Sequence, residues 1–558
     1  MSTSTIGDFL LRRLREAGIG HVFGVPGDYN LELLQQLEDG KELAWIGTCN
    51  ELNAAYAADG AARLHGLAAL VVTNGVGALS AINGIAGAYS EHVPVICICG
   101  SPPMRSTGQG RLMHHTLADG GGPDAFLRCF AEVTAAQARL TPQNAAAEID
   151  RIILTARQRK LPVYLEVPSD IAYLTIQVPD QPLMLTTPAS DPERLDACTA
   201  ALVHRLRTAQ APAILADLDA DRFGVAADVA ALASRLQAPV AVLNTAKSVI
   251  DEHHPLFAGV YTGGGSPPDV RAAVEDSDCL LTIGYRRVDS TSGFFTDTLP
   301  PDAVHLHAWS ADVGDTTFQA VALADLLPSL VKRLPERPEA SFSHPVPRQN
   351  PPAGELTQAG YWRTIQRFLR PGDVLLAEDG TSSAGATGLR LPPECTFVTQ
   401  AVWGSIGYTL GALLGTLTAA PHRRQLLFIG DGSFQLTAQE LSTILRHGHK
   451  PYIFLINNAG YTIERAILGR HAAYNDVANW AYADLPKVLA PDTPSTSFVV
   501  RTVEELDAAL AAEHDGLVFI EAVMAADDAP PNLIHGGHAF ADLDYGPRGP
   551  QHRPDAQL

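Results

Sequence analysis

"IGDGSFQLTAQELSTILRHGHKPYIFLINNAGYTIE", residues 429–464, holds two short apolar runs that each end in polar residues and are joined by a segment with helical spacing. The first reads as a strand ending in Gly430-Asp431-Gly432-Ser433, the second as a strand ending in Asn457-Asn458. Strand, helix and strand in this order make a parallel pair. Both polar clusters then fall at the carboxyl ends of neighbouring strands, where open α/β sheets bind ligands. The glycines let the backbone approach a phosphate, and the helix after Ser433 turns amide groups toward it. Asp431, the side-chain oxygen of Asn458 and the carbonyl of Gly460 form an oxygen-only set with little charge. Such a set suits Mg²⁺ that completes its octahedron with water and two phosphate oxygens. Gly-Asp-Gly alone says little; the Asn-Asn at this spacing makes the pattern specific.

The same alternation runs through the chain, as in "LAALVVT" followed by "GALSAINGIAGAYSE" and "PVICICG". Repeated strand-helix units predict parallel sheets covered on both faces, an α/β protein. Two proline-rich stretches, 178–194 and 334–356, resist helix and sheet and divide the chain into three blocks of similar size. The middle block carries its own strands, "APAILAD", "APVAVLN" and "DCLLTIGYR", and no catalytic cluster.

A chain of 558 residues exceeds a single core. Its formal charge of -21, without a basic run, argues against nucleic acid as a partner. Seven scattered cysteines lacking any C-x-x-C pair, two of them in the buried-looking "PVICICG", point to a reducing compartment. The start, "MSTSTIGDFLLRRLREAG", reads as a capped amphipathic helix and not a signal peptide. The uncharged run 401–420 has nearly the length of a membrane span, but its glycines favour a buried, closely packed helix. A cytoplasmic protein without a membrane partner is expected.

Adjacent histidines, His114 and His115, stand in "RLMHHTLADG". Side chains at successive positions diverge on a helix and point to opposite faces of a strand, so the pair by itself is a poor chelate. Other segments give it a context: "FGVPGDYNLELL" (23–34), "CNELNAAYAADGAAR" (49–63), "GQGRLMHHTL" (108–117) and "NNAGYTIERAI" (457–467). Together with residues 429–464 they resemble the thiamin diphosphate (ThDP)-dependent enzymes, and within them the pyruvate, indolepyruvate and phenylpyruvate decarboxylase branch. The similarity runs over nearly the whole chain, to near residue 525.

The resemblance implies three doubly wound parallel-sheet domains: a pyrimidine-binding domain over 1–180, a central domain over 192–334 and a diphosphate-binding domain over 355–530, followed by a C-terminal tail, 531–558. It implies non-oxidative decarboxylation of a 2-oxo acid to an aldehyde and CO₂, with ThDP and Mg²⁺ as cofactors. Glu51 matches the glutamate that bonds the aminopyrimidine and assists loss of the thiazolium proton. Asp28, His114, His115 and Glu464 match the groups that handle protons above the ring, each contributing on the order of 10²–10⁴ in rate. ThDP enzymes that join two substrates do not generally carry the histidine pair. Asp431, Asn458 and Gly460 match the metal ligands. Thr381, Ser382, Gly404, Gly432 and Ser433 join the cofactor-binding set, and Ile406 matches the apolar wedge that bends the cofactor. The family's active sites lie between chains, so a homodimer or homotetramer is expected.

Two departures bear on the substrate. Relatives with larger substrates carry glutamine at the position of Asp379 and aromatic residues near Ser383 and Ala384, so the small residues here leave room for a bulky aromatic or branched 2-oxo acid. The motif "YRRVDSTSGFF", 285–295, points the same way. Pyruvate as substrate, and carboligation of the acetolactate-synthase kind, are the alternatives. The second departure is the end of the chain, "APPNLIHGGHAFADLDYGPRGPQHRPDAQL", whose glycines and prolines predict a loose or absent closing helix and hence a carboligating side reaction.

Overall fold

The computed structural model describes residues 1–117, 122, 124–339, 342 and 354–553. Most of the second proline-rich stretch and the last five residues lie outside them. The chain forms two compact units, one of residues 1–187, 408–422 and 437–449, the other of 188–407, 423–436 and 450–558.

The first unit is built on a six-stranded sheet in the order Ala44–Gly47, His21–Gly24, Ala68–Thr73, Val95–Ser101, Val163–Pro168, Gln137–Arg139, parallel throughout. Its central strands are apolar on both faces because helices cover both. Cys97 and Cys99 are fully buried in the "PVICICG" strand. The amphipathic start forms the helix Ile6–Glu16, capped by the Thr5 hydroxyl accepting from the Asp8 amide. Residues 2–5 before it, with no strand signal of their own, pair antiparallel with Thr175–Val178.

The uncharged run becomes the helix Tyr408–Ala419, buried against the helix Glu51–His65 of the same unit. Its glycines set the approach. A Cβ on Gly415 would stand 1.9 Å from the Ala57 carbonyl oxygen, and one on Gly411 2.7 Å from the Tyr56 Cβ. Among the described residues no helix is long and apolar enough to cross a membrane.

The second unit holds two sheets. One has seven strands in the order Phe257–Val260, Val240–Val242, Pro212–Ala216, Cys279–Ile283, Val304–His307, Ser310–Val313, Thr316–Gln319. Its first five are parallel and its last two run antiparallel as a meander. The other has six parallel strands in the order Thr396–Val398, Val374–Ala377, Gln425–Gly430, Tyr452–Asn457, Leu517–Val523, Ser495–Val500.

The end of the chain corrects the sequence reading. A helix spans Pro531–Tyr545, started by Pro531 in the first turn, where a missing N–H costs nothing. Gly537 seats it: a Cβ there would lie 2.8 Å from that of Ala466, on the helix Thr462–Ile467. Phe540 meets Phe294 edge to face. Composition mistook close-packing glycines for chain-loosening ones.

Candidate active site

In the first unit the strand Ala44–Gly47 ends in a turn held by the Thr48 hydroxyl, which donates to the Asn50 carbonyl. Asn50 caps the next helix, its side chain accepting from the Asn53 amide at 2.8 Å, so Glu51 becomes the first helical residue. On its other side Gly77 admits the carboxylate. A Cβ there would come to 3.0 Å from Glu51 Oε1. Glu440, fully buried, braces the same turn by accepting from the Asn53 side chain at 2.7 Å and the Cys49 amide at 3.2 Å. Burial raises its carboxyl above the ordinary value. Glu440 lies within the opening motif, yet its tie to residues nearly four hundred positions away left no local signal.

Asp28, Tyr29, His114 and His115 converge in this unit. His114 Nε2 lies 2.9 Å from Asp28 Oδ2, and its Nδ1 lies 3.2 Å from the Tyr29 hydroxyl. Tyr29 stacks on the His114 ring at 4.7 Å. The two histidines touch edge to face with ring centroids 4.6 Å apart. This settles how adjacent imidazoles can meet: the pair lies in neither helix nor strand, and His115 has φ 61°, the left-handed region. The divergence rule for regular structure therefore fails here. Ligand atoms of Asp28, His114 and His115 all fall within 4.8 Å of one another. His115 Nδ1 is buried without a hydrogen-bond partner among the described residues. The loop after the strand Ala68–Thr73 joins this cluster to Glu51, since Gly75 abuts the His115 carbonyl and Thr73 packs on both Gly27 and Gly77. Tyr29, inside the "GDYN" motif, went unremarked in the sequence although it orients His114.

In the second unit the strand Gln425–Gly430 delivers Asp431 to its carboxyl end and Tyr452–Asn457 delivers Asn458 beside it. Asp431 is 1% exposed, and its carboxylate accepts from the amides of Gly432 at 2.8 Å and Gly460 at 3.1 Å. Burial pushes it up to about 6, against the lowering pull of its backbone hydrogen bonds and of Arg465. The Asn458 amide nitrogen donates to Thr462 at 2.8 Å, which fixes the flip and leaves its oxygen as the free acceptor. Arg465 ties the loop by donating to the carbonyls of Asn458 and Ala459. Gly432 has no room for a side chain, because the Tyr461 ring would lie 2.4 Å from a Cβ.

Around this centre Thr381 and Ser382 open a short helix and are buried, and the Ser382 hydroxyl has no partner among the described residues. Gly404, at φ 62°, would carry a Cβ 3.4 Å from Asp379 Oδ2. Ile406 is half-buried and does not belong to the core. Glu464 lies in the helix Thr462–Ile467, and burial, then the charge of Asp379, raise its carboxyl above the ordinary value. The structure thus groups Glu51, Asp28, His114 and His115 in one unit, and Asp431, Gly432, Ser433, Asn458, Gly460, Thr381, Ser382, Gly404, Ile406 and Glu464 in the other.

Three family models match: the N-terminal TPP binding domain of thiamine pyrophosphate enzymes over residues 4–120, the central domain over 199–334 and the C-terminal TPP binding domain over 380–522. An alpha-keto-acid decarboxylase of Mycolicibacterium paratuberculosis is 42% identical over 545 residues, covering 95% of both chains. Those of Mycobacterium ulcerans and Mycobacterium tuberculosis H37Rv are 41% identical, the first over 95% of both chains, the second over 94% of this chain and 95% of its own. The chain belongs to the ThDP-dependent 2-oxo acid decarboxylases.

The residues of this decarboxylase fit its cofactor. A cation beside Asp431 would relieve a carboxylate held above its ordinary range by burial, and the Asn458 oxygen, opposite the nitrogen that Thr462 holds, would serve as a further, neutral ligand. The unpartnered Ser382 hydroxyl is a donor suited to a phosphate oxygen.

Proposed function

We propose that this decarboxylase converts a bulky aromatic or branched 2-oxo acid to its aldehyde and CO₂. The observation that supports this most is the convergence of Asp28, Tyr29, His114 and His115 into one linked cluster. When bound, ThDP supplies a nucleophilic thiazolium carbon and a sink for the electron pair left by CO₂. In this reading Asp431, Asn458 and the Gly460 carbonyl hold Mg²⁺, with Thr381, Ser382, Gly432 and Ser433 on the diphosphate and Ile406 and Gly404 behind the ring. Glu51, held rigidly at the head of its helix, takes part in proton transfer at the pyrimidine. His114, kept in place by Asp28 and Tyr29, and His115, whose Nδ1 has no partner among the described residues, hold and deliver the proton that the product carbon needs before aldehyde departs. Glu464, whose carboxyl is raised above the ordinary value by burial and then by the charge of Asp379, is the acid on the other side. With pyrimidine and diphosphate ligands in separate units, an active site assembled between two chains, in a dimer or tetramer, is part of the same reading.

Ser383 and Ala384 are small and partly buried, which supports a wide substrate pocket. The test is aldehyde and CO₂ release by the purified protein with ThDP and Mg²⁺ on phenylpyruvate, indolepyruvate, 4-methyl-2-oxopentanoate, benzoylformate and pyruvate. The expected result is a higher kcat/KM for one of the bulky acids than for pyruvate. The highest value on pyruvate would sink the pocket assignment, and hydroxyketone without free aldehyde would assign carboligation instead.

Asp379 gives a pH prediction. Its charge helps raise Glu464, so Asp379→Asn makes ionisation of Glu464 easier and lowers its pKa. An acid that must be protonated works below its pKa. The alkaline limb of the kcat profile is therefore expected to move to lower pH in Asp379→Asn; an unmoved limb would remove Glu464 as that acid.

A further inference from the structure

A cavity of about 330 Å³ lies in the second unit between the segment Lys247–Val270 and the turn Thr387–Arg390, with Asn532 of the last helix also at its wall. It shares no residue with the Asp431 centre. Phe257, Val260, Val270 and Leu389 make its lining largely apolar, and against that lining stand two cationic side chains.

The first, Lys247, is 2% exposed. Its ammonium donates to Glu252 at 2.8 Å and to the Leu389 carbonyl at 2.6 Å, leaving one N–H of three without a partner among the described residues. The other oxygen of Glu252 accepts from the Leu391 amide at 2.8 Å, so this carboxylate is committed. The second, Arg390, is held from three sides. Its backbone amide and carbonyl both bond the Gln366 side chain at 2.8 Å, and its Nε donates to the Glu252 carbonyl at 3.1 Å. No ion pair or hydrogen bond among the described residues engages its two terminal amino groups.

A guanidinium anchored at Nε with open terminal amino groups is preorganised for bidentate recognition of a carboxylate. Placed against an apolar cavity of this size, it selects an anion with a short hydrocarbon tail over inorganic phosphate, which would leave the walls unfilled. Thr262 adds one polar side chain to the same lining. We propose that this cavity is a second ligand site, distinct from the Asp431 centre, that takes a small monocarboxylate with an apolar tail on Arg390 and Lys247. The proposal does not depend on which 2-oxo acid the enzyme decarboxylates.

The probe is 3-phenylpropanoate, which lacks the 2-oxo group and is not turned over. Titration calorimetry of the protein loaded with ThDP and Mg²⁺ is expected to find one more bound molecule per chain in the wild type than in Arg390→Met. The neutral 3-phenylpropanamide should not fill that extra site. Val260→Trp, which fills the cavity and leaves the guanidinium alone, should lose the same molecule, and it decides the matter if Arg390→Met does not fold. Equal stoichiometry in the wild type and the folded variants, or equal binding of acid and amide, would overturn the proposal. Since no turnover is measured, failure of the aldehyde assay would leave this result intact.

Discussion

Glu51→Gln is expected to lower kcat by roughly 10³-fold, within the range general acid–base groups contribute, while ThDP affinity changes by less than about tenfold, or 1.4 kcal/mol. The amide is close in shape to the carboxylate. It fits the space that Gly77 leaves, and the Asn50 cap and the Glu440 brace hold the helix start irrespective of the side chain at 51. What the amide lacks is an atom that can accept and return a proton. Calorimetric titration with ThDP alongside steady-state aldehyde release separates the two effects. Full activity in the variant would remove Glu51 from the chemistry, whereas loss of both binding and rate would make it a cofactor ligand alone.

The second large effect is expected at Asp431. Asp431→Asn should weaken Mg²⁺-dependent ThDP binding by more than about a hundredfold, since the proposed metal site would lose its charged ligand. Stability of the cofactor-free protein should change far less, because two contributions oppose. Burial lifts Asp431 to about 6, which corresponds to about 3 kcal/mol against the ionised form at neutral pH that the amide avoids. The amide nitrogen cannot accept from Gly460 as the carboxylate does, which costs about 1–3 kcal/mol. A carboxyl raised on folding stabilises the protein least above its folded value, so in the cofactor-free wild type this residue's penalty grows as pH rises from about 4 toward 7 and is absent in the variant. Melting temperatures with and without Mg²⁺ and ThDP, at pH 5 and pH 7.5, test both statements. A variant that binds ThDP and Mg²⁺ as the wild type does would displace Asp431 from the metal site.

The strands that carry these residues were legible because each combines an apolar run with an abrupt polar end, as in "LLFIGDGS" and "IFLINN". A strand buried on both faces has no other way to be written, and its carboxyl end is where a site is placed. The packed, non-spanning character of the 401–420 run was legible for a similar reason: glycines at 411 and 415 recur at helical spacing, and close approach is their use. The same residue type misled at the C-terminus. Gly536 and Gly537 read as loosening the chain, when in the fold Gly537 lets one helix touch another at Ala466. Whether a glycine frees a backbone or admits a neighbour depends on whether a neighbour is there, and composition does not record that.

By itself the sequence determined the α/β class and the strand ends that bear Glu51, Asp431 and Asn458, because these follow from residue type and short-range periodicity. Only the tertiary structure decided that His114 and His115 face each other, that Tyr29 and Asp28 orient one of them, that Glu440 braces the Glu51 turn and that Arg390 stands open beside an apolar cavity. Each of these depends on a left-handed backbone angle or on a contact between residues far apart in the chain, and the free energy that selects such a geometry comes from packing and burial summed over neighbours that no local stretch contains.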